Sequence, residues 1–220
     1  LYAWQVRMVI PALRRDLRDD KIMRSACRAC EYLEGLGEAG RSALEASLSG
    51  PDHQERQMAA GTLQGQCVKS GSERTRVVRR QPTDALLRAT VEGLASDTMD
   101  WNAWSSFEFL LLFPRPAKPF VVAGLESTDE QQQILCAALV AHAGHREHYD
   151  RAIPILTAHM ADNRLCGDAR LAGRALHWIG PEATGCLVAL VGHGDPQQRA
   201  IATLLLRHMN DRPSPVFENE

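Results

Sequence analysis

With 220 residues, 45% of them hydrophobic, the chain can bury a sizeable core as one domain or two small ones. A formal charge of −2 excludes a global pull towards nucleic acid or an anionic membrane, and no apolar run is long enough to span a bilayer. Aromatic residues are only 5% of the chain, which disfavours a β-sandwich and favours close helix packing.

In chain order, "MVIPALRRDLRDD" (8–20) matches "RAIPILTAHMADN" (151–163) in pattern and reads as the second helix of an incomplete repeat. "RSACRACEYLEGLG" from Arg24 and "GEAGRSALEASLSG" from Gly37 form a first helix pair, with small and apolar residues at helical spacing. "RQMAAGTLQG" from Arg56 and "PTDALLRATVEGLAS" (82–96) form a second. Between them, residues 69–82 are rich in Gly, Ser and Arg and exceed a normal helix–helix turn, so a protruding polar loop is expected. "DWNAWSSFEFLLLF" from Asp100 and "KPFVVAGLES" from Lys118 make a third pair; "DEQQQILCAALVAHAG" from Asp129 and "HYDRAIPILTAHMA" from His148 make a fourth.

The fifth pair is the clearest. Leu171, Ala172, Ala175, Leu176 and Ile179 form one stripe, and Ala183, Cys186, Leu187, Leu190 and Val191 a second. Gly180 between them suits a left-handed helix end, and Pro181 suits the first position of the next helix. Asp195 is an N-cap residue before a last helix over about Gln197–Met209, followed by a short tail at 210–220. Such hairpins leave an oily flank that a neighbour must cover.

An Asp four residues before an Arg opens several first helices: Asp20 and Arg24, Asp52 and Arg56, Asp195 and Arg199. Trp104 and Gln133 stand at the arginine position in the middle of the chain. With the turns Leu36-Gly37-Glu38-Ala39 and Ile179-Gly180-Pro181-Glu182-Ala183, this pattern resembles the HEAT-repeat superfamily, specifically the short phycobilisome-lyase-like repeats of bacteria. The resemblance implies an all-α fold: a right-handed α-solenoid of about five antiparallel helix pairs, here a single domain over 1–220. It also implies that the six Asp and Arg residues form a structural ladder of polar contacts between neighbouring repeats. Proteins of this kind work as non-catalytic scaffolds that bind another protein on a concave face of second helices. Glu45, Arg88, Glu92 and His159 are the expected outward groups there.

Other constellations carry alternative readings. Arg74, Arg76, Arg79 and Arg80 could meet phosphate or an acidic surface, against the plainer reading of a solvated loop. Trp101 and Trp104, with Asp100 near, could anchor a partner or pack in the core. Together these residues suggest a second reading, a nucleic-acid-binding module resembling HEAT-like DNA glycosylases. A third, from the family label, is a bilin-lyase-like chromophore attachment factor. His142, His145 and His148 straddle a turn, so no metal is expected, and neither a cofactor nor a catalytic set stands out. Six scattered cysteines read as small, reduced, buried side chains, Cys27-Arg-Ala-Cys30 included. The chain starts at Leu1 rather than Met, which reads as a fragment or a trimmed chain, and shows no secretory signal, so a cytoplasmic protein with no membrane partner is expected.

Overall fold

Helices form wherever small or apolar residues recur every three or four positions. The computed structural model describes residues 3–18, 23–70, 76–78, 80–95, 100–161 and 166–211. Over these the expected all-α class holds. The packing groups the chain into two compact units, residues 1–94 with 98–110, and 95–97 with 111–220.

The first unit starts with α1 (Ala3–Asp16). It begins earlier than the expected 8–20 and stops sooner; Leu13 near its end and Leu17 just after it, one turn apart, are buried. In α2 (Met23–Gly35), Ala26, Ala29, Cys30 and Leu33 are buried at spacings of three and four, a single apolar face. Gly37, at φ +61°, turns the chain into α3 (Glu38–Ser47). There Gly40 lies so close to the Leu33 carbonyl that a Cβ would sit inside its van der Waals envelope. The close approach of α2 and α3 therefore requires glycine at this point. α4 (His53–Cys67) buries Ala59, Ala60 and Leu63.

The segment expected as a polar loop contributes two short strands, β1 (Val68–Ser70) and β2 (Arg76–Val78). They pair antiparallel, Val68 opposite Val78 and Ser70 opposite Arg76. Three β-branched valines, 68, 77 and 78, favour a pleated conformation that the Gly, Ser and Arg content had hidden. Next come α5 (Asp84–Glu92), capped by Thr83, whose side chain accepts from the Leu86 amide, and α6 (Asp100–Leu111). Buried Thr90 and Ser106 receive the Gln64 Nε2 at 3.1 and 3.5 Å, a polar link among α4, α5 and α6.

In the second unit, α7 (Pro114–Gly124) starts four residues before the expected Lys118. Pro114 and Pro116 both fall in the first turn, where backbone donors have no intrahelical acceptor anyway. α8 (Glu130–His142) buries every residue from Ile134 to Ala141. A 3-10 turn, Arg146–His148, leads into α9 (Tyr149–His159). α10 (Cys166–Ile179) buries Ala169, Ala172, Ala175, Leu176 and Ile179. Gly180 is left-handed as expected, at φ +75°. Pro181 belongs to a 3-10 turn, Gly180–Ala183, and α11 (Thr184–His193) begins only after it. α12 (Pro196–Asp211) follows.

Within each unit the main contacts join helices adjacent in the chain, such as α2–α3, α8–α9 and α11–α12, and helices two apart, such as α1–α3, α2–α4, α8–α10 and α10–α12. Burying one leucine in such a seam stabilises by about 1.5–3 kcal/mol. Among the described residues no buried side-chain nitrogen or oxygen lacks a hydrogen-bond partner.

Candidate functional site

The polar side chains divide into those that build the frame and those it displays. Three helices, α4, α8 and α12, open with Asp-x-Gln-Glu/Gln-Arg/Gln, at residues 52–56, 129–133 and 195–199. Each aspartate caps its own helix: Asp52 Oδ1 accepts from the Glu55 amide at 2.7 Å, Asp129 Oδ1 from Gln132 at 2.8 Å, and Asp195 Oδ1 from Gln197 and Gln198 at 2.8 and 2.9 Å. The fifth motif residue reaches back to the preceding turn. Arg56 Nη1 donates to the Gly50 and Pro51 carbonyls at 3.0 and 2.9 Å, and Arg199 Nη1 to Gly194 at 2.7 Å. Gln133 does the same with the Leu125 carbonyl at 3.3 Å, so the amide replaces the guanidinium as donor. Arg56 also bonds Glu92 on α5 through Nε at 3.0 Å. Of the expected ladder, Asp20 and the Arg24 side chain lie outside the described residues.

The middle of the motif makes the longer ties. Gln197 and Gln198 donate to the Met160 and Thr157 carbonyls, both at 3.0 Å, joining α12 to the end of α9. Gln131 reaches the Ala95 carbonyl at 3.4 Å. In α4 the same stretch holds Glu55, which is fully buried and accepts from Arg14 Nε at 2.8 Å and Arg18 Nε at 2.5 Å. Desolvation alone would raise its pKa, but hydrogen bonds from Arg18, Ser47 and Arg14 outweigh this and hold the carboxyl below its usual range. Glu55 thus ties α1 to α4. A lone Glu inside Asp-x-Gln-Glu-Arg looks like a surface charge, and only alignment with Gln198 marks it as a tie.

Of the Arg-rich segment, Arg74 and Arg79 lie outside the described residues, and Arg76 is placed by its backbone on β2. Arg80 donates its amide to the Cys67 carbonyl at 3.4 Å and pairs with Glu38 at 3.7 Å, both side chains exposed. Trp104 is 51% exposed, stacked on Phe107 with centroids 5.3 Å apart, and its indole N–H donates to Glu108 at 3.1 Å. Trp101 lies on α6, its side chain outside the described set. Among the second-helix residues, Arg88 is exposed, His159 half-buried, Glu92 tied to Arg56, and Glu45 bonded to Arg41 at 2.8 Å.

The three histidines diverge. His145 Nε2 lies 3.3 Å from the Pro114 carbonyl, His148 faces Glu147 at 3.9 Å, and His142 sits edge-on to Trp178. Burial pushes the pKa values of His142 and His145 down. The bond from Lys118 holds Glu147 down, to about 2. Among the described residues no three His, Cys, Asp or Glu side chains converge on a possible metal position. Cys30, Cys67 and Cys136 are buried, and desolvation lifts the Cys136 thiol to about 12; Cys27, expected inside, is exposed. Cys27 and Cys30 are both free thiols.

One grouping escaped sequence reading. The guanidinium carbon of Arg174 stands 5.6 Å from the Trp178 ring centroid, and His142 from α8 meets the same ring at 5.0 Å and 82°. In sequence Trp178 closes an apolar stripe, and nothing local shows that His142 lies beside it. No family model and no curated protein matches the chain. No described helix is long and apolar enough to cross a membrane.

Proposed function

We propose that this chain is a non-catalytic protein-binding scaffold, built as a right-handed α-solenoid of about five HEAT-like helix pairs. The observation that carries this reading is the packing order within each unit: helices meet neighbours one and two places along the chain. A stack of this kind covers each hairpin's oily flank with the next hairpin and leaves outward faces free. The polar staples support the reading too. Carbonyls at turns are closed by Arg56, Gln133 and Arg199, and those at the end of α9 by Gln197 and Gln198, so the frame is held by side chains that need no ligand.

The partner in this reading is another protein, met on the second helices through groups such as Arg88 and His159. A photo-crosslinking residue placed at position 88 or 159 of the full chain, expressed in its native host, should trap one discrete protein species. The same residue placed at 182, on a turn, should not trap it. Equal, diffuse crosslinking at all three positions would overturn the scaffold reading.

A further inference from the structure

We propose that the exposed face of α10, centred on Arg174 over Trp178, is a docking site for an acidic segment of a partner protein. The proposal rests on the scaffold reading only in taking the partner to be a protein. Arg170, Arg174 and His177 are all exposed and fall at i, i+4 and i+7, one stripe along the helix. From Ala169 to Gly180 the sequence holds no acidic residue. The acid that follows, Glu182, is engaged with Arg146 at 3.5 Å. Among the described residues Arg170 and Arg174 have no carboxylate partner. Most other arginines near acids are paired, Arg14 and Arg18 with Glu55, Arg56 with Glu92, Arg151 with Glu126.

The geometry at Trp178 adds specificity to the charge. Arg174 is exposed, and its guanidinium carbon lies within cation–π reach of the Trp178 ring, so its N–H edge is accessible to a partner. That edge is the fork that grips a carboxylate with two parallel hydrogen bonds. His142 meets the same ring at 5.0 Å and 82°, so the indole beside Arg174 is in contact with both α8 and α10. A pre-positioned arginine loses less side-chain freedom on binding.

Spacing favours a peptide. Arg170 and Arg174 are separated by one helical step of four residues, about 6 Å along the axis. Alternate residues of an extended peptide lie about 7 Å apart on one side, so acids at i and i+2 match the two arginines. A nucleic-acid backbone would find only two permanent cations here, on a chain of net charge −2.

The test uses the full chain and a fluorescein-labelled peptide of six Glu-Ala repeats. A Lys-Ala counterpart and an oligothymidylate of equal length serve as comparison probes. Anisotropy should show the acidic peptide binding, weakening as salt rises. Arg174→Ala should weaken it about tenfold, and Arg170→Ala with Arg174→Ala should abolish it. Arg174→Lys, which keeps the charge and loses the fork, should restore only part of the affinity. Circular dichroism checks that each variant is folded. Equal affinity for wild type and the double variant would overturn the proposal, as would tighter binding of the oligothymidylate through the same arginines. If crosslinking at 88 or 159 succeeds while the α10 variants bind the peptide normally, this inference falls and the scaffold reading stands.

Discussion

Glu55 carries more of the first unit than its position in the sequence suggests. A fully buried carboxylate is tolerated because Arg14, Arg18 and Ser47 satisfy its oxygens. Glu55→Gln keeps the shape and removes the charge, so it should cost about 2–4 kcal/mol in urea unfolding. The pH dependence follows from the sign of the shift. The folded-state pKa lies below the ordinary 4.5, so the unfolded chain binds the proton first. The Glu55 contribution is complete above about that value and is lost as pH falls towards the depressed one. A titration of unfolding free energy between pH 6 and 3 should therefore show a steeper fall for wild type than for Glu55→Gln. Gly40 makes the complementary point about backbone contact. Gly40→Ala has no room beside the Leu33 carbonyl and should destabilise by at least about 2 kcal/mol, read as a lower urea midpoint at unchanged slope.

Elements were legible to different degrees, for identifiable reasons. Stripes of small residues located α2, α3, α8 and α10, because a helix buried on one face must repeat every three or four residues. The Gly180 turn was legible because left-handed backbone selects glycine. The start of α7 was misplaced because Pro114 and Pro116 fall in its first turn, where proline costs the helix no hydrogen bond. The strands at 68–70 and 76–78 were missed because composition outweighed three valines. The Asp–Arg pattern was visible, yet its physical content was not: the donor to the preceding carbonyl can be Arg or Gln, and the partner is backbone, which a sequence does not display. Asp129→Ala should remove a cap worth about 1 kcal/mol and speed amide exchange in the first turn of α8. The α8–α9 turn adds a second pH effect. Desolvation holds both His142 and His145 below 6.5, so the unfolded chain takes up their protons first and stability should fall as pH drops below that value. His145→Gln should flatten the slope of melting temperature between pH 7 and 5; an unchanged slope would remove His145 from the account.

At the scale of the whole molecule, helices within each unit meet neighbours one and two places along the chain. The candidate site belongs to this scale, since Arg174, Trp178 and His142 meet only because α8 and α10 pack side by side. That is why charge and spacing on α10 could be read in the sequence while this contact could not. Neighbour-limited packing predicts neighbour-limited damage. Gly173 on α10 offers the cleanest probe, because a Cβ there would stand 3.3 Å from Ile201 and 3.9 Å from Leu205 on α12. Native-state hydrogen exchange on Gly173→Leu should show protection lost in α11 and α12 and retained in α7 and α8. Equal loss across all of residues 111–211 would mean one indivisible core and would contradict the account.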